Sequence, residues 1–241
     1  MPASRPSSVI SAPPELPGLI AASVWMTPAT TRQAAVGSRR YRVTFRGPGG
    51  HSFGSFGHPN PAHALGRAVA AIAEMQVPAS PVTTFNVGRI GGGTSVNAIP
   101  TEAWFEIDLR SEQAGSLASL DAKMQAAVDI ALRAEHRRAP TGARLSVSKE
   151  LVGDRPAASI SASAPIVRTV QAVSQALFGT AVPLSRGSTD ANFPLSLNIP
   201  AVTIGGGGEG TDAHATSEVF VATDSWKGTE NALLVAIALA H

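Results

Sequence analysis

The chain has 241 residues, of which 44% are apolar and 15% charged, so it can fold around one large or two small cores, and a disordered or fibrous chain is excluded. The absence of cysteine excludes a disulfide scaffold, a thiolate zinc site and a cysteine nucleophile, and leaves six histidines and 17 carboxylates as the strong metal ligands. The net charge of +2 is spread along the chain, which excludes the dense basic patch that nucleic-acid binding requires.

Residues 1–38 have a composition unlike the rest of the chain. They contain six prolines, six serines and a single acidic residue, Glu15. This composition predicts a leader of low order, with a cleaved or transit segment as the alternative. No run of about 18 apolar residues exists, so we expect no membrane association and a cytoplasmic protein.

A strand–helix–strand–strand–helix–strand order is predicted between Tyr41 and Leu151. Alternating apolar residues predict the strands, and apolar residues at helical spacing predict the helices. Asn60 is the expected N-cap of the first helix, with Pro61 at its first position. The predicted strands are 41–45, 82–90, 102–109 and 144–151, and the predicted helices are 62–75 and 116–138. This order predicts a ferredoxin-like domain, an antiparallel sheet with two helices on one face, over residues 39–153.

The remaining residues, 154–241, predict only part of an α/β domain. A hinge over 154–164 precedes two helices, the second capped by Asp224, and a glycine turn follows the one strong strand. The predicted helices are 165–178 and 225–240, and the predicted strands are 198–204 and, more weakly, 181–184. One or two strands cannot cover their own faces and edges. The predicted fold class is therefore α/β, with an α+β ferredoxin-like domain followed by a partial α/β domain.

Three side chains stand where chemistry is plausible, although each also has an ordinary explanation. His51 follows the tight turn Gly47–Gly50, which can aim an exposed ring. His214 follows a strand and a glycine loop, where open α/β sheets place their sites. Arg186 precedes Gly-Ser-Thr-Asp190 and can bind a carboxylate through two hydrogen bonds. Taken singly, they read as a loop histidine, a surface histidine and a structural turn.

Five motifs together resemble the zinc-dependent aminoacylase and carboxypeptidase family of peptidases. This family includes peptidase T, glutamate carboxypeptidase, acetylornithine deacetylase and succinyl-diaminopimelate desuccinylase. The motifs occur in the family's order and spacing over about residues 36–241. They are Gly49-Gly-His51-Ser, Gly91-Gly-Gly-Thr-Ser-Val-Asn97-Ala-Ile-Pro100, Asp108-Leu-Arg110-Ser, Arg186-Gly-Ser-Thr-Asp190-Ala, and residues 206–218 around His214.

The resemblance implies a lid domain at 39–153 that also forms a homodimer, and the C-terminal portion of a zinc-hydrolase catalytic domain at 154–241. It implies that His51 is catalytic and polarises the scissile carbonyl across the dimer. Asn97 and Arg186 are implied to bind substrate, and His214 to bind zinc with Glu218 nearby. The implied substrate is a small peptide or an N-acyl amino acid with a free carboxylate, and the implied cofactor is zinc.

The sequence departs from this family at its N-terminal side. The family's other zinc ligands and its general base, a His-x-Asp pair, a bridging aspartate and a Glu-Glu pair, have no counterpart in residues 1–40. One imidazole cannot hold a catalytic zinc, which needs about three protein ligands. We therefore expect the isolated chain to be inactive.

Three interpretations stay open at this point. The chain is an incomplete or truncated hydrolase, or half of an enzyme whose N-terminal half is separate. Alternatively, it is a non-catalytic dimerisation or carboxylate-binding module derived from that family. The third interpretation is a divergent enzyme that recruits His51, His58 or His63, with Asp212 and His214, into a new metal site.

Overall fold

The computed structural model describes residues 19–23, 30–139, 142–212 and 215–240. The chain divides into two compact units. The inserted unit is Gly37–Arg155, and the flanking unit consists of Met1–Val36 and Pro156–His241. The elements, in chain order, are β1 (Leu19–Ser23), β2 (Thr31–Ala35), β3 (Gly37–Arg46), β4 (Gly50–His51), α1 (Pro61–Ala73), β5 (Thr83–Gly92), β6 (Ala98–Ile99), β7 (Glu102–Ser111), α2 (Ala114–Arg138), β8 (Ser146–Arg155), β9 (Ala158–Ser159), α3 (Pro165–Phe178), β10 (Leu184–Gly187), α4 (Asn192–Ser196), β11 (Ala201–Gly205), β12 (Glu209–Thr211), β13 (Val219–Val221) and α5 (Trp226–Ala240).

The inserted unit is built on a four-stranded antiparallel sheet in the order β5-β7-β3-β8. Every second residue of β7 is buried, which is the alternation of a strand with one covered face. Phe105 and Leu109 of β7 share a core with Val43 and Phe45 of β3 and with Met124 of α2. This arrangement confirms the predicted βαββαβ order with both helices on one face.

Helix α1 begins where the local sequence predicts. The Asn60 side chain accepts a hydrogen bond from the Ala62 N–H at 2.8 Å, and Pro61 occupies the first helical position, where it has no donor to lose. The helix ends at Ala73, two residues before the predicted end. The start of α1 therefore follows from the local sequence.

The flanking unit contains a five-stranded mixed sheet, which corrects the one or two strands predicted for it. The strand order is β1-β11-β2-β10, and β9 also pairs with β2. Strands β1 and β2 lie in residues 1–38, where the sequence predicts a leader of low order. The sequence Thr-Arg-Gln-Ala-Ala of β2 lacks bulky alternating residues, so nothing local identifies it as a strand. It becomes one because strands on both sides pair with its backbone.

Helices α3 and α5 pack together against β11 in the flanking unit. Val167 and Val170 of α3, Val202 and Ile204 of β11 and Val235 of α5 form its main core. All five residues of β11 are buried, as expected of an interior strand covered on both faces. The weaker strand predicted over 181–184 instead spans Leu184–Gly187.

The connections of the flanking unit include the predicted hinge, the predicted glycine turn and Asp224, the predicted cap of α5. The predicted hinge, 154–164, contains the end of β8 and the short strand β9. Gly207 and Gly208 have φ angles of +97° and +71°, as the predicted glycine turn requires. The Asp224 carboxylate accepts a hydrogen bond from Lys227 Nζ at 2.8 Å, just before α5. No helix in the described part of the chain has both the length and the apolarity needed to cross a membrane.

Candidate active site

His51 lies at the end of a glycine turn in the inserted unit. Gly49 and Gly50 have φ angles of +73° and +139°, which L side chains rarely adopt. A Cβ at position 50 would lie 2.5 Å from Ser55 Oγ and 2.6 Å from Ser55 Cβ. Both the backbone conformation and the available space therefore require glycine immediately before His51.

We expect Gly50→Ala to destabilise the inserted unit by about 2 kcal/mol, because it forces a strained φ and a steric overlap. Gly66 in α1 provides the matched control, since a Cβ there meets no atom within 4 Å. Gly66→Ala is expected to stabilise the same unit by about 0.5–1 kcal/mol, because alanine favours a helix. Urea unfolding measures both variants. A Gly50→Ala chain as stable as the wild type would contradict the required turn.

The local backbone fixes the tautomer of the His51 ring. Its Nδ1 accepts hydrogen bonds from the backbone N–H groups of Phe53 and Gly54, each at 3.3 Å. Because Nδ1 is the acceptor, a neutral imidazole at this position carries its proton on Nε2. The residue is exposed. His51 can therefore present Nε2–H as a hydrogen-bond donor to a ligand.

Asn97 lies beside His51 on the paired segment. His51 is in register with Ala98 across the β4–β6 pair, and the Asn97 carbonyl accepts a hydrogen bond from the Ser52 N–H at 2.9 Å. The Oδ1 of Asn97 accepts a hydrogen bond from Ser95 Oγ. The Nδ2 group of this exposed side chain is therefore the part that can donate hydrogen bonds to a ligand. The structure thus brings two of the predicted site residues together on one exposed surface.

An ion pair between the buried Glu135 and the partly exposed Arg138 supports the turn that carries His51. Arg138 donates to Glu135 Oε1 from Nε at 2.9 Å and from Nη2 at 2.6 Å, and Nη2 also donates to the His58 carbonyl at 3.0 Å. The His58 ring Nδ1 in turn lies 3.2 Å from the Gly49 carbonyl oxygen. Hydrogen bonds therefore link α2, through His58, to the residue pair that precedes His51.

Glu135 is fully buried and also holds the start of α1. Its Oε1 accepts the Asn60 N–H at 2.9 Å. Burial alone would raise the pKa of Glu135, but hydrogen bonds from Arg138 and from the Asn60 N–H, together with the charges of Arg138 and His63, hold it below its ordinary value. Sequence reasoning missed Glu135, because a glutamate near the end of a polar helix resembles any solvated residue.

Arg186 lies on β10 in the flanking unit. It is exposed, and it stands in register with Ala34 of β2 just after a break in the strand pairing. Arg186 and Asp190, which flank the small-residue turn, each have an interaction partner. The strand therefore places the Arg186 guanidinium on the surface of the flanking unit.

Asn192 anchors the segment that follows Arg186 and was not identified from the sequence. Its Nδ2 donates to the carbonyls of Val36 at 2.8 Å and Pro156 at 2.9 Å, and its Oδ1 accepts the Thr189 N–H at 2.7 Å. Val36 and Pro156 are the flanking-unit residues on either side of the inserted unit. The buried Asn192 amide thus connects the two flanking-unit residues that border the inserted unit to the turn that follows Arg186. No local pattern reveals this, since its partners are remote in sequence.

His214, the predicted zinc ligand, lies outside the described residues. Beside it, Asp212 has a φ of +54° and accepts a hydrogen bond from Ser217 Oγ at 3.1 Å, and Glu218 is exposed. Across the described ranges, no group of three or more histidine, aspartate or glutamate side chains could hold a metal ion. The described residues therefore do not fit a catalytic zinc, and we derive no step through one.

The recruited metal site, the third interpretation of the sequence, includes His214, which lies outside the described residues, so it stays a prediction. The His58 ring contacts the Gly49 carbonyl, and His63 Nδ1 lies 3.8 Å from Glu135 Oε1. Neither ring belongs to a described group of three potential ligands. Both histidines instead contact the supports of the His51 turn and of α1.

Comparisons with known proteins give the same architecture. Residues 34–136 match the family described as Peptidase dimerisation domain. No curated protein matches the chain. Similar solved structures include aminopeptidase PepT from Bacillus cereus, with a TM-score of 0.69 and 20% identity, and a tripeptidase from Staphylococcus aureus, with a TM-score of 0.70 and 18% identity. A hydantoinase/carbamoylase-family amidase from Burkholderia vietnamiensis has a TM-score of 0.65 and 19% identity.

These matches cover 92%, 92% and 90% of the chain, respectively, but only 57%, 56% and 53% of the three solved chains. The chain thus spans little more than half of their length. The matched fold and the dimerisation domain agree with the motifs that the sequence carries. Residues 34–136 therefore resemble a peptidase dimerisation domain, and the chain has the fold of part of these solved peptidases and amidase.

Proposed function

We propose that the chain supplies the lid and the carboxylate-binding part of a metal-dependent peptidase or amidohydrolase. The reaction is hydrolysis of a peptide or N-acyl amide bond in a substrate with a free carboxylate. The observation that carries this proposal is that His51 Nδ1 accepts hydrogen bonds from two backbone N–H groups. A ring held in this way offers a neutral Nε2–H donor, which suits it to bind a carbonyl oxygen.

The role of His51 is to donate Nε2–H to the carbonyl oxygen of the bond that is cleaved. This hydrogen bond strengthens as the oxygen gains negative charge in the transition state. Losing one such donor typically lowers the rate by about 10²–10³-fold. The adjacent Asn97 amide donates a second hydrogen bond to the substrate. The pairing of β4 with β6, which begins at the residue after Asn97, keeps the two donors on neighbouring segments.

Arg186 binds the free carboxylate of the substrate. A guanidinium can donate two parallel hydrogen bonds to the two carboxylate oxygens, and it stays charged at every physiological pH. Its position on a strand is supported by the buried Asn192 anchor that follows it. Binding the carboxylate fixes the orientation of the amide bond relative to that end of the substrate.

The metal of this reaction is zinc, with His214 as one ligand and Glu218 as a nearby supporting carboxylate. The other ligands and the general base belong to a separate N-terminal half, since residues 1–40 contain no histidine, no aspartate and only Glu15. We therefore propose that the chain by itself hydrolyses no amide. A non-catalytic dimerisation or carboxylate-binding module is the second candidate, favoured by the lack of a three-residue ligand group among the described residues.

The proposed partner is a second copy of the chain, bound through the inserted unit. Strand β8 is an edge of its sheet, and Lys149 of β8 pairs with Asp129 of α2 at 2.6 Å, so β8 and α2 form one surface. Leu151, Val152 and Ile130 are 47%, 53% and 53% exposed on these two elements. An edge strand beside exposed apolar side chains favours pairing with another copy.

The experiment measures zinc content, mass in solution, and hydrolysis of N-acetylglycine and of a dipeptide by the purified chain, before and after added zinc. We expect a dimer of the 24.6 kDa chain, no retained zinc and no hydrolysis. A monomer would contradict the dimer. Stoichiometric zinc together with chelator-sensitive hydrolysis would contradict the proposed inactivity of the chain alone, and would exclude the non-catalytic module.

A further inference from the structure

Arg32 lies in the interior of the flanking unit's sheet and has no carboxylate partner among the residues that the structure describes. It lies on β2, between β11 and β10, and is partly buried. Its Nε is buried and makes no hydrogen bond. Burial lowers the pKa of Arg32, and no neighbouring charge opposes this effect. Within the described ranges, then, no carboxylate offsets the cost of desolvating this guanidinium.

The guanidinium is held beside the Arg186 segment by a close contact. Arg32 is in register with Ser185 across the β2–β10 pair. A Cβ on Gly187 would overlap Arg32 Nη1 and would lie 2.5 Å from Cζ and 2.8 Å from Nε. The glycine after Arg186 is therefore what leaves room for Arg32. Ser188, the next residue, also has a buried side-chain oxygen without a hydrogen-bond partner.

An arginine with no role here would extend its long side chain into water, where its charge is solvated at little cost. Arg32 instead lies against β10 with Nε out of solvent. Thr31 and Gln33 also have unpartnered polar atoms, but they alternate with Arg32 and face the other side of the strand. Among the described residues, the donors without a partner near this end of β10 are thus Arg32 Nε, beside Gly187, and the hydroxyl of Ser188, the residue after Gly187.

We propose that Arg32, with Ser188, binds an anion next to Arg186 and takes a carboxylate of a small N-acyl amino acid or peptide. The unpaired guanidinium selects an anion by itself, and the choice of a carboxylate rests on the proposed function of Arg186. The planar guanidinium donates two hydrogen bonds to the carboxylate, and the serine hydroxyl donates a third. The flanking unit thus contains two arginines for carboxylate binding, one on β2 and one on β10.

The test titrates N-acetylglycine into the full chain and follows the Arg32 Nε–H signal by NMR. N-acetylglycinamide, which lacks the carboxylate, is the neutral control ligand. We expect N-acetylglycine to shift the signal and to bind at least tenfold more weakly to Arg32→Gln, because a charge-assisted pair is lost. Arg168→Gln is the matched control, since Arg168 is an exposed arginine on α3 of the same unit. It is expected to bind as the wild type does.

Equal affinity in Arg32→Gln and the wild type, equal affinity for the neutral ligand, or no binding of N-acetylglycine to the wild type would each overturn the proposal. Arg186→Gln tests the proposed function separately. If only Arg32→Gln loses affinity, the Arg32 site stands and the role of Arg186 falls. If only Arg186→Gln loses affinity, the role of Arg186 stands and the proposed Arg32 site is wrong.

Stability distinguishes a binding role from a structural one. In buffer without carboxylates, Arg32→Gln is expected to unfold at the same urea concentration as the wild type or a higher one, because it removes an unpaired and partly desolvated charge. Added N-acetylglycine is then expected to raise the unfolding midpoint of the wild type but not of Arg32→Gln. A variant that unfolds earlier than the wild type in carboxylate-free buffer would show that Arg32 has a structural role, and would overturn the proposal.

Discussion

Replacing Glu135 with alanine is expected to destabilise the inserted unit by about 3 kcal/mol. Glu135 is fully buried, and its Oε1 accepts hydrogen bonds from Arg138 and from the Asn60 N–H. Removing it leaves a guanidinium without its partner and frees a donor at the start of α1. Urea unfolding combined with hydrogen exchange of peptides from 37–155 measures the effect in this unit alone. Glu150→Ala, which removes an exposed glutamate on β8, is the control and is expected to change stability by less than about 0.5 kcal/mol.

The stabilisation by Glu135 is also expected to depend on pH, in a direction that its pKa determines. Because the folded-state pKa lies below the ordinary value of about 4.3, the folded protein favours the charged form. The stabilisation is therefore fully present above that ordinary value and is lost as the pH falls through the folded-state pKa. The stability difference between the wild type and Glu135→Gln should shrink over this acidic range. A difference that grows on acidification would contradict the direction of the shift.

Asn192→Ala is expected to cost the flanking unit about 3 kcal/mol. The substitution removes three hydrogen bonds and leaves the carbonyls of Val36 and Pro156 and the Thr189 N–H without their partner. Each such loss costs about 1 kcal/mol. Hydrogen exchange of peptides from 156–240 during urea unfolding measures the change. An exposed side chain on α3 gives the control, Gln175→Ala, which should leave stability nearly unchanged.

The Asn192 variant should also loosen the segment that carries Arg186. The Thr189 N–H is held by the Asn192 side chain, so its exchange rate should rise by more than the loss of stability of the whole unit explains. Peptides from α3 should change only in line with that overall loss. An unchanged Thr189 amide would show that Asn192 does not anchor the turn.

The inserted unit could be predicted from sequence because its signals are local. The alternation of β7, the Asn60-Pro61 start of α1 and the glycines before His51 each act within a few residues. The adjacency of His51 and Asn97 required the structure. It depends on the pairing of β4 with β6, two-residue strands that no periodicity can reveal.

The flanking unit could not be predicted in the same way. Strand β2 has no alternating apolar residues, and it becomes a strand only through pairing with β9, β10 and β11. Asn192 lies 156 residues from Val36, whose carbonyl it binds. Contacts over such separations leave no pattern in one sequence, because the residues that form them are neighbours only after folding.

The sequence by itself determined the βαββαβ order, the glycine turn at His51 and the motif set that resembles a peptidase family. These features depend on turn chemistry, capping and periodicity, which a short segment contains in full. The tertiary structure alone decided that residues 31–35 form an interior strand, that Glu135 links α2 to the start of α1, and that Arg32 lies beside Gly187 with no carboxylate partner among the described residues. Each of these depends on burial and on which remote residue faces it, and a charge in a sequence acquires its role only from that environment.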